Sequence, residues 1–432
     1  MTITTNHRAA TGAATPTTTA TPTTTATLPA STTASTTGAT TASTPRAADT
    51  PTGPIVAPPG LKGVVVADTA VGDVRGDEGF FHYGPYSGVD LARHRSLDEV
   101  WHLVVDGHLP DAGELAAFRS EIAPWRTPHP AVAAVLPAIA AAGGAGPLDG
   151  LRTALSLQAA ALGLRPVLDL TEAERRRDVL ALAAVTPSLI AGLHRAAAGL
   201  EPVAPRDDLH GAASYLWLVT GDEPDPRTAA ALEPYLVMTI DHGFNNSTFT
   251  ARVITSTGAD VGAALVGAVG ALSGPLHGGA PSRALDLLDE IGTPDRIDTV
   301  VRAHLAAGER IMGYGHAVYR TADPRSELLR EVAEELGGPL AELAVAAEDR
   351  IVAVLGEERP GRVLQANVEY YAAVVMATIG LPRRLFTPTF ASSRVIGWTA
   401  HVREQARDRH IVRPSARYVG EPAPIPVPVP AA

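Results

Sequence analysis

Ser273-Gly274-Pro275-Leu276-His277-Gly278-Gly279-Ala280 sets one histidine among three glycines and a proline, directly after an apolar run. Glycine lets backbone pass close to a ligand, and proline stiffens the approach. The run Val261 to Leu272 reads as a helix that ends here, which places His277 on a turn at the helix boundary. Downstream, Gly313-Tyr314-Gly315-His316 again puts a histidine behind glycines, and Arg320, Asp323, Pro324 and Arg325 follow. A third polar cluster, Asn367-Val368-Glu369-Tyr370, places a carboxylate ahead of another apolar run. Two histidines and one carboxylate suit proton abstraction next to a carbonyl.

The composition bounds the rest. The 432 residues allow two or three domains, and 45% hydrophobic residues supply a large core. Aromatics make up only 5%, so that core is built from Ala, Leu and Val, which favours close helix packing over a sheet sandwich. A net charge of -11 argues against a nucleic-acid or membrane-surface binder. Any anionic ligand must therefore meet a local arginine cluster. With no cysteine, disulfides, thiolate nucleophiles and cysteine-ligated metals are excluded. No spacing of His, Asp and Glu resembles a metal site, and no signal peptide opens the chain. Ala131 to Leu148 is long enough to span a membrane, but its prolines, glycines and alanines read better as a buried segment.

In chain order, residues 1–58 are Thr, Ala, Pro and Ser, too apolar-poor to offset the entropy of ordering, and read as disordered. Val64-Val65-Val66 and Phe80-Phe81-His82-Tyr83 read as strands of a small hairpin around Gly76–Gly79. Helices then follow from capping boxes at Ser96/Glu99, Asp111/Glu114 and Thr171/Glu174, and from apolar periodicity over 151–164 and 227–240. The expected fold class is mainly α. Segments 59–278 and 377–420 form a large helical domain. Segment 279–376, richer in charge and flanked by glycines, forms a smaller domain that moves on hinges. Residues 421–432 alternate proline with small residues and read as an extended tail.

GPLHGGA, GYGHAVYRTADPR and NVEYY together resemble the three catalytic motifs of the citrate synthase family, and the resemblance runs from about Gly60 to Gly420. It implies a two-domain helical fold and a homodimer. It also implies condensation of acetyl-CoA with oxaloacetate, followed by hydrolysis of the citryl thioester. In that reading His277 hydrogen-bonds the thioester carbonyl, His316 polarises the ketone of oxaloacetate, and a carboxylate at position 369 removes the methyl proton. His242, Arg325 and Arg394 match the oxaloacetate-binding set, since guanidinium forks suit a dicarboxylate. Arg413 matches the arginine that reaches into the partner subunit's site, and Arg320 a coenzyme A contact. No metal, redox cofactor or nucleic acid is implied, no membrane either, and the expected location is cytoplasmic.

Glu369 departs from the family, which carries aspartate there. Its longer arm puts rate and substrate choice in question, because a displacement of about 1 Å can cost on the order of a hundredfold. The same glutamate could instead cap the helix after Asn367. Two alternatives stay open: a 2-methylcitrate synthase using propionyl-CoA, and a catalytically weak ligand-sensing relative. One methylene changes discrimination by only roughly 1–3 kcal/mol.

Overall fold

The computed structural model describes residues 55–142, 146–274, 277, 278, 280–316, 318–361 and 364–428. Most of the 1–58 extension lies outside these residues, as do Pro275, Leu276 and Gly279 of the central motif and residues 429–432 of the tail. The chain divides into one unit up to Leu61 and a second over 62–432. Of the first, residues 55–58 are exposed, and Pro59–Leu61 is a single 3-10 turn.

The second unit opens with three antiparallel strands, β1 (Gly72–Arg75), β2 (Phe80–Tyr83) and β3 (Tyr86–Ser87). Gly72 pairs with Tyr83 and Arg75 with Phe80, so the turn falls at Gly76–Gly79 as the sequence predicts. The first strand is not Val64–Val66, which carries no strand and leaves Val65 85% exposed. A tight turn pairs the residues that flank it, and the valines lie too far upstream to reach that register. Along β2, Phe81 and Tyr83 face inward with the period of two that a strand imposes. The Tyr83 hydroxyl donates to the carbonyls of Val237 (3.1 Å) and Asp241 (3.0 Å), which pins the hairpin against the segment that carries His242.

Helices follow in the order α1 (Gly88–His94), α2 (Leu97–Asp106), α3 (Ala112–Ile122), α4 (Pro130–Ala133), α5 (Leu136–Ala142), α6 (Pro147–Ala161), α7 (Glu172–Ala197), α8 (Gly211–Thr220), α9 (Pro226–Thr239), α10 (Asn246–Ser256) and α11 (Val261–Leu272). Then come α12 (Ala280–Ile291), α13 (Ile297–Ala306), α14 (Pro324–Leu336), α15 (Pro339–Glu358), α16 (Val368–Thr378) and α17 (Phe386–Gln405). The capping boxes at Ser96, Asp111 and Thr171 each close in both directions. The segment from Ala131 is less buried than the sequence suggests. It breaks into the short helices α4 and α5, of which Val132 and Leu136 are buried while Ala131, Ala133, Ala134 and Ala138 are exposed. A short helix covers only one stripe of side chains, so alanines off that stripe stay in solvent. By length and composition α7 could cross a membrane, yet 83% of its apolar window is buried inside this fold.

Helix α17 runs through the core against α7, α9, α10 and α11. It comes close to the end of α9 only because residue 397 is glycine: a Cβ there would lie 2.0 Å from the Ile240 carbonyl oxygen. That approach brings Arg394, Trp398 and His401, spaced three or four apart on one helix face, up to residues 239–247. A second group packs around α16, with α12, α14 and α15 against it and α13 against α15.

Candidate active site

Two of the three motif segments are stitched together by backbone. Asn367 donates its N–H to Gly313 O (2.8 Å) and its side-chain amide to Gly315 O (2.9 Å), while Gly315 N–H reaches Gln365 O (2.8 Å). Gly313 and Gly315 both have φ of 84°, a conformation that other residues adopt only with strain. The Asn367 side-chain oxygen also accepts from Glu369 N–H (3.0 Å) and so caps α16. Asn367 therefore ties the histidine loop to the helix that carries the carboxylate.

The His316 tautomer follows from the same loop. Its Nδ1 accepts the N–H groups of Val318 (3.0 Å) and Tyr319 (3.1 Å), so the ring proton sits on Nε2. Arg325 NH2 stands 3.3 Å from that Nε2. Guanidinium only donates, so two donors face each other there and an incoming oxygen would satisfy both. Burial, reinforced by Arg325, lowers the His316 pKa to about 4, and the ring is neutral at pH 7.

His242 packs edge-on to His316 with centroids 5.4 Å apart, and its Nε2 lies 3.0 Å from the Tyr319 hydroxyl. Burial and Arg325 hold its pKa well below the usual imidazole range. His277 sits on a turn past α11, its N–H on Gly274 O (2.9 Å) and its Nε2 2.8 Å from Ser247 Oγ. Ser247 is fully buried, accepts from the Trp398 indole N–H (3.0 Å), and lies 2.8 Å from Asn245 Oδ1. That oxygen already accepts from Thr248 N–H (3.0 Å), capping α10. The single Ser247 proton has two acceptors within reach, Asn245 Oδ1 and, in one tautomer, His277 Nε2. When Nε2 receives it, the imidazole proton is fixed on Nδ1 and can be donated to a carbonyl oxygen. Burial and Arg394 lower the His277 pKa to about 4.

The two buried arginines are held differently. Arg325 makes a two-pronged pair with Asp323, Nε to Oδ1 (3.0 Å) and NH2 to Oδ2 (2.8 Å). Asp323 Oδ2 also accepts the Val368 N–H at the start of α16 (3.1 Å). These bonds and the neighbouring guanidinium keep the Asp323 carboxyl below the usual range against its burial. Arg394 spends only Nε, on the Thr239 carbonyl (2.7 Å), and its guanidinium lies 4.5 Å over the Phe390 ring. Among the described residues no carboxylate pairs with Arg394, so its remaining donors are available to a ligand.

Burial raises the Glu369 pKa to about 8, although Arg325 and Arg394 both pull it down and Asp323 pushes it up. Its Oε2 is buried without a hydrogen-bond partner. A carboxylate placed near neutrality beside two guanidinium groups is suited to take and return a proton. Arg394 acts electrostatically on His242, His277 and Glu369 alike, so these residues share one neighbourhood.

Among the described residues, neither the Arg320 nor the Arg413 side chain makes a hydrogen bond or ion pair with this cluster. Arg320 is exposed, its backbone N–H on Gly76 O (3.0 Å). Arg413 is exposed on the segment after α17, next to Val412, whose N–H reaches Ser256 Oγ (3.0 Å). The sequence reading did not single out Ser247, Asp323, Tyr319, Trp398 or Asn367 as working residues. The Asp-Pro pair at 323 was a visible cap, and Asn367 a visible helix start, but nothing local joins Ser247 to His277, thirty residues away.

Residues 60–415 match the family model described as citrate synthase, C-terminal domain. A relative from Mycobacterium tuberculosis is 40% identical over 367 residues, covering 84% of this chain and 92% of the relative. The citrate synthase of Haloferax volcanii is 38% identical, covering 84% and 95%. Among solved structures, citrate synthase from Pyrobaculum aerophilum superposes with a TM-score of 0.79 at 34% identity, covering 88% of this chain and 96% of that one. A ternary complex of carboxymethyl coenzyme A and oxaloacetate with citrate synthase from Thermoplasma acidophilum gives a TM-score of 0.79 at 26% identity, covering 86% and 98%. Fold and site thus define an enzyme that transfers an acyl group to form a new carbon–carbon bond. The chain belongs to the citrate synthase family.

Proposed function

We propose that this enzyme condenses acetyl-CoA with oxaloacetate and hydrolyses the citryl thioester to citrate and coenzyme A. The observation that carries this reading is the pair of donors, His316 Nε2–H and Arg325 NH2, only 3.3 Å apart. A ketone oxygen flanked by carboxylates fits there, with Arg325 and Arg394 as the forks and His242 as a further polar contact. Glu369, once ionised, takes a proton from the acyl methyl group, and the His277 Nδ1–H holds the enolate oxygen. The methylene carbon attacks the ketone carbon, and His316 gives its Nε2 proton to the new alkoxide. The two backbone N–H groups on Nδ1 and the nearby Arg325 stabilise the ring that has lost its proton. Water then cleaves the thioester, releasing the thiol of coenzyme A and a carboxylate.

The same reading assigns Arg320 to coenzyme A. The chain pairs as a homodimer, with Arg413 lent to the partner's site, which accords with its exposure. Segment 279–376 closes over the substrates on the glycines at 278 and 313–315 and excludes water until condensation is done. Thiol release with oxaloacetate and, in separate reactions, acetyl-CoA and propionyl-CoA tests the assignment. Faster release from acetyl-CoA is expected; preference for propionyl-CoA would make the enzyme a 2-methylcitrate synthase, and no release from either would leave a binding protein.

A further inference from the structure

Asp241 is the N-terminal neighbour of His242 and is almost wholly buried, yet neither of its carboxylate oxygens has a hydrogen-bond partner. A buried carboxylate without close partners is rare and calls for a physical reason. Its backbone is fixed from outside the loop, with the Tyr83 hydroxyl 3.0 Å from its carbonyl and 3.3 Å from its N–H. Its side chain faces α17, where Gly397 allows the close approach and His401, one turn on, sets Nε2 3.3 Å from Oδ1.

The His401 ring is oriented from behind. Arg252 on α10 donates from NH1 to His401 Nδ1 (3.2 Å), so the His401 proton is on Nε2, which lies near Asp241 Oδ1 without forming a hydrogen bond to it. Arg252 is itself balanced by Glu404 (2.5 Å) and held by Gln405 Oε1 (2.9 Å). Arg252 and Glu404 offset each other's charge, whereas Asp241 has no such ion-pair contact with an arginine or lysine among the described residues. Arg394 lies three residues before Gly397 on α17, where a Cβ would come within 3.2 Å of Asp241 Cβ, and its Nε bonds the Thr239 carbonyl two residues before Asp241 (2.7 Å). It has no carboxylate in salt-bridge contact among the described residues, and Asp241 is the strongest favourable charge acting on it. Arg325, by contrast, has Asp323 in direct contact.

We propose that Asp241 is the internal counter-charge of Arg394 and sets how tightly the site grips the carboxylates of its substrate and product. This rests on the reading above that Arg394 binds oxaloacetate. A fixed negative charge near Arg394 lets the buried cation exist in the empty site. It also weakens every anion that docks there, so the more highly charged product is not retained. A substrate carboxylate and Asp241 serve the same cation, so removing one should strengthen the other.

Calorimetric titration of oxaloacetate and of citrate into the full chain tests this. Asp241→Asn should bind both at least about tenfold more tightly, the effect of one unit charge roughly 12 Å away through an effective dielectric constant of ~20 and a lower bound for a closer one. Its melting temperature should fall in the empty state and recover with citrate. Asp98→Asn, which removes a buried carboxylate paired with Arg119 elsewhere, should lose stability without gaining affinity. Unchanged or weaker binding by Asp241→Asn overturns the proposal, because a purely structural role predicts loss. If Asp241→Asn does not accumulate, refolding with and without citrate decides: recovery with citrate supports the counter-charge, and no recovery overturns it. Arg394→Gln separates the two layers. If Arg394→Gln binds oxaloacetate like the unaltered chain, or the unaltered chain does not bind it, the functional reading fails and takes this one with it. If Arg394→Gln loses binding while Asp241→Asn is unchanged, only the counter-charge fails.

Discussion

Replacing Glu369 by Gln keeps the shape of the side chain and removes its titration, and the consequences can be worked from its surroundings. Burial holds the carboxyl at about 8 in the folded chain, against an ordinary value of 4.5. The folded state therefore binds a proton that the unfolded state has released, and stability falls as pH rises through this window. The full difference of 3.5 units corresponds to about 5 kcal/mol at 1.36 kcal/mol per unit. Glu369→Gln lacks this loss, so its stability relative to the unaltered chain should improve by up to that amount between pH 4.5 and 8 and then level off. Denaturant unfolding at several pH values reads it directly. Catalysis should move the other way. About one site in eleven is ionised at pH 7 with a pKa of about 8, so turnover at saturating oxaloacetate should climb roughly tenfold per pH unit below 7. Arg325 and Arg394 now lower this pKa, and a bound dianion occupies both, so the liganded value is no lower than the free one. Glu369→Gln should show a flat profile, reduced on the order of 10²–10⁴ fold. Parallel stability curves for the two proteins, or a rate already on its plateau at pH 6, would refute the assignment of Glu369 as a buried base.

Ser247→Ala removes the partner of His277 Nε2 and should lower turnover roughly tenfold to a hundredfold with little change in oxaloacetate affinity, measured by thiol release and calorimetry. Gly397→Ala should destabilise the chain by about 1–3 kcal/mol or prevent folding, since its Cβ would meet the Ile240 carbonyl at 2.0 Å; chemical denaturation checks it. His277→Ala and Arg413→Ala should each be nearly inactive, and an equal mixture after subunit exchange should recover about a quarter of all sites if each arginine serves the partner. No recovery despite proven exchange would place Arg413 in its own chain's site or outside the site.

The sequence exposed what repeats or caps locally. The three capping boxes, the turn at Gly76–Gly79 and the helix ending before His277 are short-range patterns, and all three appear in the fold. Val64–Val66 has the β-branched composition of a strand, but composition does not say whether a segment can reach the turn's register. The histidines and arginines of the site stood out because each lies in a motif with unusual glycine or proline neighbours. Their supports did not, because support is long-range. Ser247 meets His277 across thirty residues, Asp323 meets the Val368 N–H across forty-five, and His401 meets Asp241 from a different helix. None of these contacts leaves a periodic trace. The state of Glu369 was equally hidden, since its pKa comes from burial by elements scattered over the chain.

The two histidines that the proposed mechanism sets beside the reacting atoms differ in how their protons are encoded. His316 takes its tautomer from two peptide N–H groups, which every residue except proline supplies, so that choice survives most side-chain substitution in its loop. Only a change of backbone path, as at Gly313 or Gly315, can reverse it. His277 depends on one hydroxyl shared with an amide oxygen and an indole N–H, three side chains that mutation can change one at a time. Sequence drift in descendants of this enzyme can therefore adjust the enolate side of the reaction in small steps. The ketone side is tied to the loop conformation itself and changes only when the loop does.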